Sequence, residues 1–172
     1  FDIDQEFGDL GVAVNATVSN ETAHRLKSRR RSMAGPSGCG LCGIESIEHM
    51  TRDIPPLQAA NLPSQAALDN ALSGMRRRQV VSQSTSGAHA AVWCDMDGNI
   101  VTLREDVGRH NALDKLIGWH SSEPADGFVL VSSRASYEMV AKAATAGIGV
   151  LAAVSAPTSM AIETARAANL KL

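Results

Sequence analysis

The chain has 172 residues, with 16 Lys+Arg against 18 Asp+Glu and a formal net charge of −2, enough for one domain with its own core. Hydrophobic residues at 44% and charged residues at 20% exclude wholesale disorder, while 3% aromatics and the near-neutral balance exclude the stacking platform and basic field of a nucleic-acid binder. No run approaches the ~18 apolar residues of a membrane span and no signal peptide is visible, and an odd count of three cysteines speaks for a reducing, cytoplasmic compartment where thiols do chemistry.

Residues 11–18 alternate with period two, which predicts a strand with Val12, Val14, Ala16 and Val18 on one face. Asn20 is placed to cap a helix carrying the basic run Arg29-Arg30-Arg31. Residues 34–43 hold four glycines and a proline, a flexible loop. Ser64 opens a helix with Ala67, Leu68, Ala71, Leu72 and Met75 on one face, ending in Arg76-Arg77-Arg78. Ala88 to Cys94 and Ile100 to Arg104 read as strands joined by the hairpin turn Asp95-Met-Asp-Gly-Asn99. A helix from Arg109 to Trp119 turns Leu113, Leu116 and Ile117 inward. Residues 127–132 and 150–154 are continuous apolar strands, buried on both faces, each followed by a helix, Ser136 to Ala146 and Thr158 to Ala168.

Strand, helix, strand, helix implies a parallel pair with a right-handed crossover. The expected fold is α/β, a three-layer α/β/α sandwich with a mixed sheet, antiparallel at the hairpin end. Residues 1–34 are expected to belong to a smaller N-terminal domain, 35–63 to form a Gly/Cys loop and connection, and 64–172 the main domain.

The sharpest chemical feature is Cys39-Gly-Leu-Cys42. Such a pair serves as half a zinc site, a thioredoxin-like redox pair, an inert structural pair, or a thiolate that accepts and hands on sulfur. Zinc lacks a second CxxC, and a redox pair lacks the strand-to-helix context. For sulfur transfer the glycines supply motion and Arg29 to Arg31 a thiolate-stabilising field, although a charge run also reads as a solvated helix face. A zinc deaminase, whose fold would suit this strand order, is excluded. None of the five histidines is followed two residues on by Glu, and the CxxC precedes His89 instead of following it.

Two strand-to-helix turns, containing Ser132, Ser133 and Arg134 and then Ser155 and Thr158, belong at the carboxyl edge of the sheet. There, helix N-termini, hydroxyls and a guanidinium suit phosphate. Taken singly, Ser136 and Thr158 read as helix caps. Arg109 and His110 fall at a helix start, suited to hold phosphate or move a proton, with Asp106 as the cap. His89 heads a strand after Ser86-Gly-Ala, and Cys94 reads as a core residue.

Four segments together, Ser37-Gly-Cys-Gly-Leu-Cys-Gly43, Asp106-Val-Gly-Arg-His-Asn-Ala-Leu-Asp-Lys115, Ser132-Ser-Arg-Ala-Ser-Tyr-Glu-Met139 and Ala152-Ala-Val-Ser-Ala-Pro-Thr158, resemble the FdhD/NarQ family of formate dehydrogenase accessory proteins, in the family's order. The resemblance implies a fold similar to cytidine deaminases without their zinc, so no resident metal. It implies a sulfurtransferase that takes sulfur from a cysteine desulfurase as a persulfide. Its acceptor is the molybdenum cofactor, bis(molybdopterin guanine dinucleotide), for formate dehydrogenase. Cys39 then bears the persulfide and Cys42 assists. His89, Arg109, His110, Ser132, Ser133, Arg134, Ser155 and Thr158 are the candidate cofactor contacts, and a homodimer is expected. The alternative is a non-catalytic chaperone for the same cofactor. The resemblance also implies family segments ahead of Gly11 and beyond Leu172, so that these residues are expected to be the core of a longer chain.

Overall fold

A computed structural model describes residues 2–8, 11–27 and 54–172; Arg29 to Arg31, Cys39 and Cys42 lie outside the described residues. Near the start, β1 (Asp2–Gly8) pairs antiparallel with β2 (Gly11–Thr17), Ile3 opposite Ala16 and Gln5 opposite Val14. The strand at Gly11 is the expected one, and the residues ahead of it form its partner. In α1 (Asn20–Lys27) the capping role falls to Ser19 and not to Asn20: Ser19 Oγ accepts from Thr22 N at 3.3 Å, the usual reach of a capping hydroxyl.

One mixed sheet organises the rest. Its strands β3 (His89–Cys94), β4 (Ile100–Asp106), β5 (Phe128–Arg134) and β6 (Leu151–Ser155) lie in the order β4-β3-β5-β6. β3 is antiparallel to both neighbours, whereas β5 and β6 are parallel. A parallel pair needs a crossover, and α5 (Tyr137–Thr145) supplies it. α2 (Gln65–Arg78) and the short α3 (Val80–Thr85) precede the sheet, α4 (Arg109–Ser122) joins β4 to β5, and α6 (Ser159–Ala167) follows β6.

Successive side chains on a strand face opposite ways, and that alternation sorts the core into two layers. Ala91, Trp93, Val129, Val131 and Leu151 pack with Leu113 and Leu116 of α4, Met139 and Val140 of α5, and Ala161 and Ala165 of α6. Ala90, Val92, Cys94, Phe128 and Leu130 pack with Ala71 and Met75 of α2. Helices on both faces of a mixed sheet make the predicted three-layer sandwich. Ahead of α2, Ile54 and Leu57 rest on the first layer, and Leu57 N donates to Ala168 O at 2.9 Å.

Local chemistry sets the ends of these elements. Ser64 Oγ accepts from Ala67 N at 3.1 Å and starts α2. The β3–β4 turn closes as Asp95 Oδ1 accepts from the N–H groups of Asp97 and Asn99. Gly98 there has φ +81°, and a Cβ on it would stand 2.0 Å from the carbonyl oxygen of Ala67. The turn therefore sits directly against the first turn of α2. Asn70 Nδ2, donating to Asp97 O at 3.3 Å, and Arg78, donating to Ile100 O at 2.9 Å, clip the same helix to the hairpin. Among the described residues no helix is long and apolar enough to cross a membrane.

Candidate functional site

The strand register places eight candidate residues along one edge of the sheet. Because β3 is antiparallel to β5, the start of β3 meets the carboxyl end of β5: Ala91 pairs with Val131, and Ala90 N donates to Ser132 Oγ at 2.8 Å. His89 pairs with Asp106, which brings the end of β4 and the start of α4, with Arg109 and His110, to the same edge. Parallel β6 adds Ser155 opposite Arg134, and Thr158 N donates to Ala135 O at 3.1 Å, tying the two strand-to-helix turns together. From β4 to β6 the edge is about 14 Å wide at the usual strand spacing. The two remaining candidates, Cys39 and Cys42, lie outside the described residues.

The eight residues are not alike in their present engagements. Ser132 Oγ stands in for a backbone acceptor in the ladder, and Ser133, buried, donates to Arg134 O at 3.1 Å. The register of β5 against β6 shifts between Val131 and Arg134, so the strands loosen at their carboxyl ends. Arg134 and Ser155 are exposed. Thr158 is the cap that the sequence suggests, its Oγ1 accepting from Ala161 N at 3.2 Å.

Ser136 departs from that pattern. It occupies the cap position of α5, yet makes no capping bond, and its hydroxyl is buried without a hydrogen-bond partner. The Nε and Nη2 atoms of Arg109 and both ring nitrogens of His110 are likewise buried without hydrogen bonds. His110 Nδ1 does lie 3.4 Å from Glu138 Oε2, an ion-pair approach that joins the first turns of α4 and α5. Sequence reasoning missed Ser136 and Glu138 as site residues. Both stand inside a quoted motif, but a serine three residues ahead of a helical N–H reads as a cap until its bonds are seen.

Asp106 is not the cap of α4; Gly108 holds that position, without a side chain to bond. Instead Asp106 braces the turn, accepting from Gly108 N at 2.9 Å, Asn111 Nδ2 at 3.2 Å and Lys115 Nζ at 2.6 Å. The Lys115 ammonium and these N–H donors hold its carboxyl below the usual range, so it stays ionised and keeps Arg109 and His110 presented.

Burial pushes His110 below its ordinary value of 6.5, helped by Arg109 and Lys142 and opposed by Glu138 and Asp114. Burial also lowers His120, whose ring stacks on Trp93 with centroids 4.2 Å apart. A histidine with a depressed folded value is protonated first in the unfolded chain. Stability is therefore whole above pH 6.5 and falls as the pH drops below it through the folded values. Melting temperature is expected to fall between pH 7.5 and 5.5, with proton titrations placing both ring signals below 6.5. A flat profile would contradict this account.

Cys94 is fully buried, as its place in β3 predicts, and burial drives its thiol up to about 12. It pairs with Phe128, at the far end of β5 from Arg134, about 20 Å away at the usual rise per residue. It lies away from that edge.

A family model described as FdhD/NarQ matches residues 1–172. The sulfur carrier protein FdhD of Bordetella petrii is 50% identical over 166 residues, covering 94% of this chain and 59% of that protein. The sulfur carrier protein FdhD of Acinetobacter baylyi is 46% identical over 176 aligned positions, covering 100% of this chain and 64% of that protein. The chain thus spans less than two thirds of the length of these relatives. A crystal structure from Desulfotalea psychrophila, of a candidate formate dehydrogenase accessory protein, has TM-score 0.64 and 24% identity, covering 72% of this chain and 53% of its own. That likeness supports the fold.

Proposed function

Since the chain belongs to the FdhD/NarQ family, we propose that it is a sulfurtransferase that carries sulfur as a persulfide on Cys39. A cysteine desulfurase supplies the sulfur. The acceptor is the molybdenum cofactor, bis(molybdopterin guanine dinucleotide), on its way to formate dehydrogenase. The setting is the cytoplasm, and the working unit is a homodimer.

The loading step balances without an external oxidant. The Cys39 thiolate attacks the outer sulfur of the donor's cysteine persulfide; one S–S bond forms on Cys39 as the donor's S–S bond breaks, and the donor leaves as a thiolate. Cys42 assists as the second thiol of the CxxC pair, stabilising the thiolate or helping to release the sulfur. The cargo is polyanionic, and the observation that supports its binding is the gathering of Arg109, His110, Arg134 and Ser155, with His89, Ser132 and Ser133, at one sheet edge, where Thr158 serves as a helix cap. Helix N-termini, hydroxyls and guanidinium groups are the donor set that phosphates require.

Incubation with a cysteine desulfurase and cysteine is expected to add about 32 Da at Cys39, read by peptide mass spectrometry, reversibly with a thiol reductant. An unmodified Cys39 beside an active desulfurase would defeat the relay. A second reading, a chaperone in which the cysteines are incidental, draws on the fact that the described edge holds binding groups only.

A further inference from the structure

The two strand-to-helix turns look equivalent in sequence but are chemically unequal in the fold. At α6 the Thr158 hydroxyl is spent on Ala161 N. At α5 Ser136 is only 4% exposed, and its hydroxyl makes no capping bond to the helix and has no other hydrogen-bond partner. A buried hydroxyl without a partner is unfavourable in general, and this one lies where the positive end of a nine-residue helix points. Arg109 brings two more buried, unpaired donors on the neighbouring helix, and the His110–Glu138 approach shows that the first turns of α4 and α5 adjoin.

We propose that the start of α5, with the Ser136 hydroxyl and the Arg109 guanidinium, is a subsite for one phosphate-class dianion, and that the start of α6 is not. This deepens the proposed function by assigning the bridged diphosphate of one guanine dinucleotide, a dianion, to α5. The charged groups facing His110 are Arg109 and Asp114 from α4 and Glu138 and Lys142 from α5, Lys142 being paired with Asp114. An arriving dianion favours the protonated imidazole, so binding draws a proton onto His110 and eases the repulsion from Glu138.

The test uses the purified full-length protein, with orthophosphate and pyrophosphate as separate probes, followed by calorimetry and by the His110 ring signals. Pyrophosphate is expected to bind saturably and to raise the His110 titration point. Ser136→Ala and Arg109→Gln are each expected to weaken binding about tenfold or more, the usual range for a charge-assisted hydrogen bond lost. Tighter binding of orthophosphate would assign the subsite to a terminal or free phosphate, and tighter binding of pyrophosphate to the bridged phosphates of a dinucleotide. Binding that survives both substitutions, or that is lost with Thr158→Ala and kept with Ser136→Ala, overturns the proposal. Unchanged melting of each variant separates lost affinity from lost fold. Neither result bears on persulfide loading of Cys39, so the subsite and the relay stand or fall separately.

Discussion

Replacing Cys39 with Ala in the cell's own copy of the protein is expected to reduce formate dehydrogenase activity to background, a loss of about a hundredfold or more. Removing a covalent nucleophile leaves only what binding provides. Protein level and melting temperature are expected to stay unchanged. Cys42→Ala is expected to cost less, because its partner thiol still accepts sulfur at a rate set by its own thiolate fraction. The measurement is enzyme activity in extracts, with the persulfide on Cys39 read in parallel. Full activity with Cys39→Ala would hand the function to the chaperone reading. Loss of activity with Ser136→Ala or Arg109→Gln, persulfide loading intact, would locate the defect at the cargo.

The second large effect is structural. Gly98→Ala is expected to destabilise the fold by about 2–5 kcal/mol, from roughly 1–2 for a left-handed Ala and 1–3 for forced overpacking. The backbone at Gly98 has φ +81°, and the new methyl would meet Ala67 O at 2.0 Å, a helix carbonyl that cannot swing aside. The turn and α2 must part, which pulls the second core layer off the sheet. Gly118→Ala is the control: it lies inside α4 with nothing within 4 Å of the methyl it would add, and a gain of about 0.5–1 kcal/mol is expected there. Chemical denaturation of the two variants beside the parent decides the matter, and equal midpoints would refute it.

What the sequence made legible follows from periodicity. The apolar run from Phe128 to Val131 reads as buried on both faces, and in the fold Phe128 and Leu130 enter one layer while Val129 and Val131 enter the other. The helices α2, α4, α5 and α6 announce themselves through apolar faces, and α2 and α6 also through the caps Ser64 and Thr158. β1 does not, because Ile3 and Phe7 are its apolar residues and both are exposed; only its pairing with β2 makes it a strand. α3 is hidden for another reason. Its six residues VVSQST are poor helix formers, and the first turn is held by Glu105, whose carboxylate accepts from Val81 N at 3.0 Å and Ser82 N at 2.9 Å. A partner more than twenty residues away leaves no local trace.

The site divides along the same line. Residue type and turn position are enough to place Arg109, His110, Arg134, Ser155 and Thr158 at one edge, since strand direction carries them there. They are not enough to distinguish Ser136 from Thr158. Both precede a helix by one residue, and only the bonds each hydroxyl makes reveal that one is spent and the other open.

Cys94, buried and raised to about 12, gives the protein a silent thiol in addition to Cys39 and Cys42. Alkylating reagents at neutral pH reach it only when β3 leaves the sheet, so its labelling marks time for global opening. A single sample then carries its own unfolding clock, with no reporter added.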